Sequence, residues 1–337
     1  MSVTIRDIAK KCNCSITAVS LVLNNRPNRI SEPVKQRIRE AAKEFNYHPN
    51  QIALSLVTRK TNVIGLILPD ISNAFFSEFV KEVESECSKH GYTLILASTN
   101  ESAASELEVV RTFISRALAG IILIRSSIGL EEFQDLIFTA ISTCDTPFIC
   151  VDRSFKSGNI KNIIIDQKQG GYLATKHLIS CGYKNIGMIT GPLKLATAMM
   201  RLDGYKQALE EAHIPFNESL IYEGDFSNES GELGTAKLME ANVDAIFASN
   251  DMMAFGVYKA IHQLGLSIPD RLGVIGFDDI QFASIVSPSL TTIHQPMQEI
   301  ANEAVNSLLD MIKGSSPLGH TKMFEPSLII RGSTKKQ

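Results

Sequence analysis

Acidic, amide and basic residues follow short apolar stretches at many points along the chain. They are Asp70, Arg125, Ser126, Asp152, Arg153, Asp166, Asn250, Asp251, Asp278 and Asp279. Carboxylate and guanidinium groups bind paired hydroxyls, and an aromatic ring can cover the apolar face of a sugar ring. Phe75, Phe76 and Phe226 are available nearby. The set predicts a site for a polyhydroxylated molecule.

A single Asp in such a position also has a simpler explanation, as a helix cap in a strand-helix turn. Asp251 and Asp279 fit that explanation better than a ligand-binding role. Arg201 does not, because it opens the predicted helix of the RLDGY motif and helix caps rarely require Arg.

Sequence signatures of enzymes are absent. The chain has no G-x-G-x-x-G after the first strand, no G-x-x-x-x-G-K-[ST], no G-x-S-x-G and no H-E-x-x-H. Its seven histidines do not cluster with acidic residues or cysteines. We expect no catalytic residue, no metal and no cofactor.

Short apolar runs alternate with amphipathic segments from Val63 onward. The predicted strands are Val63–Leu68, Thr93–Ala97, Gly120–Ile124, Phe148–Val151, Asn162–Ile165, Ile186–Thr190, Leu220–Glu223, Ala245–Ser249 and Gly273–Phe277. The predicted helices are Phe75–His90, Ala104–Ala117, Leu130–Ser142, Gly170–Cys181, Leu202–Ala212, Gly231–Glu240 and Met252–Leu264. Such repeats predict parallel sheets covered by helices on both faces. Two series predict two lobes, with a cleft where the carboxyl ends of the strands face each other.

The first 48 residues predict three short helices. Thr4 with Asp7 can cap the first, Ser15 the second and Ser31 the third. This arrangement is typical of a helix-turn-helix DNA reader, whose second helix lies in the major groove. A small helical cap on an enzyme is the alternative.

Charge is divided unequally between the ends of the chain. Residues 1–60 carry 11 Lys and Arg against 4 Asp and Glu, whereas the remainder carries 22 against 32. A basic head attracts a phosphate backbone, which favours the DNA-binding interpretation.

The sequence shows no targeting, membrane or disulfide pattern, and this indicates the compartment of the protein. There is no signal peptide and no apolar run of the roughly 18 residues that a membrane span requires. The six cysteines do not show the spacing of a disulfide framework. We therefore expect a cytoplasmic protein with reduced thiols.

The segment after the third helix predicts a short hinge helix. Asn50 can cap it, and Ile52, Ala53 and Leu56 form its apolar side. We hypothesise that it folds on DNA and inserts Leu56 into the minor groove. A flexible linker is the alternative, and unchanged operator affinity in Leu56→Ala would favour it.

Several motifs together carry a resemblance to a known family. TIRDIAKKCNCSITAVSLVLNN, YHPNQIALSL, IGLILPDISNAFFSE, RLDGY, SNDMMAFGV, IPDRLGVIGFDD and SLTTIHQP resemble, in order and spacing, the lactose/galactose/purine repressor family of bacterial transcription regulators. The resemblance implies an α/β fold: a three-helix helix-turn-helix head, a hinge helix and a two-lobed core of parallel sheets, like a periplasmic binding protein.

The resemblance also implies boundaries. The DNA-binding domain spans 1–48, the hinge and linker 49–60, and the effector-binding and dimerisation core 61–332. The first lobe comprises about 61–160 and 294–318, and the second about 161–293 and 319–332. Its last helix, Gln298–Lys313, is expected to return to the first lobe before Phe324–Ile330 crosses to the second.

Residue roles follow from the same resemblance. Base readers are expected at Ile16, Thr17 and Leu21, phosphate contacts at Thr4, Ser15, Ser20 and Asn24, and minor-groove contacts at Asn50, Ala53 and Leu56. Effector contacts are expected at Phe75, Phe76, Arg125, Asp152, Arg201, Phe226, Asn250 and Asp278.

The chain departs from the family pattern at several positions. Asn13 and Cys14 replace the usual small residue and Val of the turn, Ala18 replaces Thr, and Asn73-Ala74 replaces Asn-Pro. Leu21 replaces a polar reader, which favours contact with a thymine methyl over guanine recognition. Leu195 stands where purine-responsive members carry Arg, which argues against a purine. A heptad tail is missing, so we expect a dimer.

The sequence therefore predicts a dimeric repressor of a carbohydrate operon. It is expected to bind a pseudo-palindromic operator and to respond to a small molecule, most simply a sugar. A sugar-binding receptor without operator binding is the alternative, and an enzyme is the third class. The effector's identity, its direction of action and the operator stay open, since a nucleoside, a sugar phosphate or a protein corepressor would leave a similar trace.

Overall fold

The computed structural model describes residues 3–24, 27–47, 61–155, 160–315 and 321–336. It divides into two compact units, Met1–Thr61 and Asn62–Gln337. The predicted hinge residues Asn50, Ala53 and Leu56 lie outside the described residues.

The first unit contains the three predicted helices, α1 (Ile5–Lys11), α2 (Ile16–Leu23) and α3 (Glu32–Glu44). At the start of α1, the N–H and hydroxyl of Thr4 donate to the Asp7 carboxylate at 2.9 and 2.7 Å. The hydroxyl of Ser15 accepts from the N–H of Ala18 at 3.1 Å and caps α2. Ser31 precedes α3 but makes no capping side-chain bond to it within the described residues.

One side chain from each helix defines the centre of this unit. Ile8, Val19 and Ile38 are completely buried. The turn between α1 and α2 includes Asn13 in the left-handed region, at φ 47°. Asn tolerates that conformation better than most residues, which accounts for the departure from the family pattern there.

The second unit begins with the first lobe, a six-stranded parallel sheet in the order β11-β5-β4-β3-β1-β2. Its strands are β1 (Val63–Leu68), β2 (Thr93–Ser98), β3 (Gly120–Leu123), β4 (Phe148–Val151), β5 (Lys161–Ile165) and β11 (Lys322–Phe324). Its helices are α4 (Ala74–Lys89), α5 (Ala103–Ser115), α6 (Leu130–Ser142) and α11 (Met297–Ile312). One face packs on α4 and α11 and the other on α5 and α6.

The second lobe is a four-stranded parallel sheet, ordered β7-β6-β8-β9, with an antiparallel pair β10-β12 beside it. The strands are β6 (Ile186–Thr190), β7 (Ile221–Glu223), β8 (Ala245–Ala248), β9 (Gly273–Ile275), β10 (Thr292–His294) and β12 (Ser327–Ile329). The helices are α7 (Gln167–Ser180), α8 (Ala196–Glu211), α9 (Asn228–Glu240) and α10 (Asp251–Gln263). They cover both faces, α7 and α8 on one and α9 and α10 on the other.

Three crossovers join the lobes, after β5, after β10 and after β11. The return of α11 to the first lobe is as expected, because its apolar face belongs to the core of that lobe. Strands β5 and β11 pair with each other in the first sheet, so this sheet extends beyond the boundaries expected near 160 and 318.

Three helix starts were predicted too late. Helices α7 and α9 begin at Gln167 and Asn228, ahead of the predicted Gly170 and Gly231. Helix α8 begins at Ala196 and not at Leu202, so Arg201 lies within the helix instead of opening it. The PLKLATAMM segment offers no capping side chain, and Leu195 precedes the helix without a side-chain bond among the described residues.

Candidate functional site

A small cavity lies between the two lobes, at the carboxyl ends of their strands. The first lobe contributes Asn73, Phe75, Phe76, Asp152 and Arg153, and the second lobe contributes Thr197, Arg201, Phe226, Asn250 and Asp278. Seven of the eight predicted effector residues line this cavity. Open parallel sheets bind ligands at this place, beyond the carboxyl ends of their strands.

Arg201 is the central cation of the cavity and is almost completely buried. Its Nε donates to Oε1 of Gln167 at 2.8 Å, and Nη1 donates to the carbonyl of Ser249. Its guanidinium lies over the ring of Phe277, 3.7 Å from the centroid. Planar stacking combined with two hydrogen bonds holds the group in one orientation.

Close helix packing brings Arg201 to this position. A Cβ on Gly171 of α7 would lie 2.1 Å from the carbonyl oxygen of Arg201, and one on Gly204 of α8 would lie 2.0 Å from the carbonyl oxygen of Lys168. Only glycine permits backbones to approach this closely.

Two carboxylates face the same space. Asp152 accepts from Nε2 of Gln167 at 3.2 Å, and Asp278 accepts from Nε2 of Gln295 at 2.6 Å. Burial raises the pKa of Asp152 despite the nearby Arg153 and Arg201. Burial also raises the pKa of Asp278, to about 7.

Arg153 is the second cation of the cavity wall. Nη1 and Nη2 donate to the two carboxylate oxygens of Glu101 at 2.7 and 2.9 Å, and Nη1 also donates to the carbonyl of Arg125 at 2.8 Å. Its buried Nε has no hydrogen-bond partner among the described residues. A buried donor of this kind is costly unless a ligand pairs with it.

Aromatic rings close the cavity from both lobes. Phe75 and Phe76 contact edge to face, with centroids 5.2 Å apart. Phe226 belongs to the second lobe, and Gly191 leaves room for it, since a Cβ there would lie 2.0 Å from the ring.

Asn250 has a capping role as well as a place in the wall. Its Oδ1 accepts from the N–H of Met253 at 2.8 Å, and its Nδ2 donates to the carbonyl of Phe226 at 3.0 Å. Asp251 and Asp279 do not line the cavity. Asp251 binds Thr292 and the N–H of Ile280, and Asp279 binds His294 and Arg331.

Arg125 is the one predicted effector residue that lies elsewhere. Its guanidinium covers the ring of Phe155, 4.0 Å from the centroid, and Nε lies 3.7 Å from Oε1 of Glu106. Both partners lie on the α5–α6 side of the first sheet. Because successive side chains along a strand point to opposite faces, the side chain of Arg125 points away from the cavity.

Three lining residues were not among the predicted contacts: Asn73, Arg153 and Thr197. The side chain of Asn73 caps α4 by accepting from the N–H of Phe75 at 3.1 Å, and the departure from the family pattern lies at its neighbour Ala74. Arg153 follows a predicted strand, and its position next to the predicted contact Asp152 is the feature of the sequence that could have identified it. Thr197 has no sequence signal, because the start of α8 was misplaced.

In the first unit, the predicted base readers lie on α2. Ile16 and Thr17 are exposed, whereas Leu21 is half-buried. Among the predicted phosphate contacts, Asn24 donates from Nδ2 to the carbonyl of Ser20 at 2.8 Å, while Thr4 and Ser15 form the caps described above.

The described residues contain neither a candidate metal site nor a candidate membrane-spanning helix. Within the described ranges, no group of three or more His, Cys, Asp or Glu side chains is placed to hold a metal ion. No described helix is long and apolar enough to cross a membrane.

Comparisons with known proteins agree with both parts of this description. Residues 4–50 match the family of bacterial regulatory proteins called the lacI family, and residues 175–334 match the periplasmic binding protein-like domain. The chain is 38% identical to the ribose operon repressor of Haemophilus influenzae, over 98% of each protein. It is 34% identical to the transcriptional repressor PurR of Vibrio parahaemolyticus, over 99% of each.

Solved structures extend the likeness to three dimensions. A Lac repressor dimer bound to operator and an anti-inducer matches with a TM-score of 0.88, 25% identity and complete coverage of both chains. A regulator from Enterococcus faecium with bound ribose matches with a TM-score of 0.69 and 29% identity, over 81% of this chain and 98% of that one. A regulator from Alkaliphilus metalliredigens complexed with D-xylulofuranose gives 0.73 and 29%, over 82% and 100%.

A helix-turn-helix unit joined to a two-lobed core with a polar cleft defines a DNA-binding regulator controlled by a small molecule. The chain belongs to the lacI family of transcriptional repressors.

Proposed function

We propose that this repressor responds to a neutral pentose, with D-ribose as the first candidate. The observation that carries the proposal is the mixture of cations and carboxylates on the cavity wall, where Arg153 and Arg201 stand beside Asp152 and Asp278. Paired cations and carboxylates suit hydroxyl groups, which both donate and accept.

The lining of the cavity supports a sugar. Phe76 and Phe226 are available to cover a sugar ring. Relatives named for ribose or solved with ribose and D-xylulofuranose support the same class.

The unpaired polar atoms indicate where hydroxyls would bind. Arg153 Nε would donate to a sugar oxygen, and the carboxylates of Asp152 and Asp278 would accept from hydroxyls. Ser249 Oγ and Gln295 Oε1 also have no hydrogen-bond partner among the described residues. Both residues are hydrogen-bonded to cavity residues, Ser249 to Arg201 and Gln295 to Asp278.

The other effectors left open by the sequence are less well supported. A sugar phosphate would place an anion beside two carboxylates, where the described Arg153 is already paired with Glu101. A purine would require an Arg at the place of Leu195, and Leu195 is buried. A protein corepressor would leave the polar cavity unexplained.

On the DNA side, we propose that Ile16, Thr17 and Leu21 contact bases and that Thr4, Ser15, Ser20 and Asn24 contact phosphates. Two chains would bind a pseudo-palindromic operator as a dimer, with Asn50, Ala53 and Leu56 entering the minor groove at its centre. We also propose a cytoplasmic, non-enzymatic protein with DNA-binding, hinge and core segments divided near residues 48 and 60.

Calorimetric titration of the full chain tests the effector class. D-ribose should bind, whereas hypoxanthine should not. Arg201→Met should weaken ribose binding by roughly 100-fold, as expected for loss of a buried charged hydrogen-bonding group. Arg111→Met, at an exposed position of α5, is the matched control and should leave binding unchanged. Binding of hypoxanthine in preference to every pentose would overturn the proposal.

A further inference from the structure

Glu101 does not line the cavity, yet its carboxylate makes four hydrogen bonds beside it. Oε2 accepts from Arg153 Nη1 at 2.7 Å and from the N–H and hydroxyl of Ser127 at 2.9 and 2.8 Å. Oε1 accepts from Arg153 Nη2 at 2.9 Å. Paired N–H···O bonds of this kind are strong and directional, so the guanidinium has one orientation.

The backbone that carries Glu101 adopts a conformation unusual for residues other than glycine. Asn100 and Glu101 have φ values of 50° and 60°. The N–H of Glu101 donates to the carbonyl of Pro69 at 2.9 Å, and the N–H of Ile128 donates to the carbonyl of Glu101 at 2.7 Å. Residues that neighbouring hydrogen bonds hold in a strained backbone conformation cluster at functional sites. The conformation of Glu101 therefore suggests a functional role for its side chain.

The ion pair limits what Arg153 offers to the cavity. Both Nη atoms are occupied by Glu101, and one also by the carbonyl of Arg125. Nε is left as a donor without a partner among the described residues. The Asp152 carboxylate also lies near Nε, with Oδ2 at 3.9 Å. The positive charge of Arg153 is therefore already neutralised by carboxylates.

We propose that Glu101 is a specificity-determining residue that restricts the cleft to neutral ligands, an inference that rests on the proposed sugar effector. With Arg153 neutralised, the other cation among the described residues of the cavity wall is Arg201, which faces two carboxylates. An anion entering this buried space loses its hydration and gains no free positive charge. The phosphorylated or oxidised form of a sugar is rejected while its neutral parent binds.

Glu101→Gln tests this by removing the charge with little change of shape. The probes are D-ribose and inorganic phosphate. Phosphate is smaller than the sugar, so size alone would not exclude it from a cleft that binds ribose. Thermal unfolding and calorimetry of the full chain should show that phosphate does not stabilise the wild-type protein but stabilises Glu101→Gln. Adding Arg153→Gln should abolish that stabilisation. Glu108→Gln, at an exposed position of α5, is the matched control and should behave as wild type.

Ribose separates this inference from the proposed function. Ribose affinity of Glu101→Gln should fall about tenfold, because Arg153 loses a charged partner that orients it. If wild type binds no pentose, the effector proposal fails, and the phosphate results alone decide the role of Glu101. Phosphate stabilisation of neither protein, or of both equally, would overturn that role.

A second variant applies if Glu101→Gln does not fold. Glu101→Asp keeps the negative charge on a shorter side chain, so phosphate should still give no stabilisation. Stabilisation of Glu101→Asp by phosphate would contradict the inference.

Discussion

Gln295 lies at the second crossover between the lobes, and its Nε2 donates to Oδ1 of the cavity residue Asp278 at 2.6 Å. Gln167, at the first crossover, similarly bridges Asp152 and Arg201. Groups that would bind the effector are thus hydrogen-bonded to the segments about which the lobes would move. A ligand that changes these bonds has a direct route to the relative position of the lobes.

Effector affinity should depend on pH through Asp278. Burial raises its pKa to about 7, and a sugar hydroxyl donates a stronger hydrogen bond to the ionised carboxylate than to the protonated acid. Ribose affinity measured by calorimetry should therefore rise between pH 6 and pH 8. Asp278→Asn should bind more weakly and lose most of this dependence. A wild-type affinity that is constant over this range would contradict the assignment.

The stability of the ligand-free protein should show the opposite trend. Because the folded state raises the pKa of Asp278, it retains a proton that the unfolded chain has already lost above pH 4. The stabilising contribution of Asp278 is present below that pH and is lost as pH rises to about 7. Asp278→Asn should reduce the corresponding fall in unfolding free energy, measured with urea.

The contact between α7 and α8 predicts a large effect of a single methyl group. Gly171→Ala would place its Cβ 2.1 Å from the Arg201 carbonyl oxygen, so the helices must separate. We expect a loss of about 3 kcal/mol in unfolding free energy and much weaker ribose binding. Gly187→Ala, whose Cβ would meet side-chain carbons at 3.0 to 3.3 Å, should be milder. Equal effects of the two variants would argue against helix separation.

Two serines of the first unit form a matched pair. Ser15→Ala removes the cap of α2 and should cost about 1 kcal/mol, whereas Ser31→Ala removes no capping side-chain bond found in the described residues. Hydrogen exchange should be faster in α2 of the first variant and unchanged in α3 of the second. Similar exchange in both helices would show that the Ser15 bond contributes little.

Leu21 should determine preference at one base of each operator half-site. Selection from a random DNA pool should return thymine there for the wild type, because an apolar side chain contacts its methyl group. Leu21→Arg should shift the preference toward guanine. An unchanged base preference would exclude Leu21 as a reader.

The order of strands and helices followed well from apolar periodicity, and seven of eight expected effector residues line the cavity. Arg125 does not line the cavity, because a strand end identifies a position but not the direction of its side chain, which Phe155 and Glu106 determine. The start of α8 was missed because no capping residue marks it. Gln167 and Gln295 give no local signal, since their importance arises from partners distant in the chain.

Operator binding in the presence of D-ribose tests the central claim most directly. An operator selected with the full chain would be titrated with protein, with and without saturating D-ribose, for the wild type and for Arg201→Met. The proposed ribose response predicts that ribose changes wild-type operator affinity by roughly 5- to 150-fold, the usual range of allosteric coupling, and leaves the operator affinity of Arg201→Met unchanged. An operator affinity that D-ribose does not alter in the wild type would contradict it.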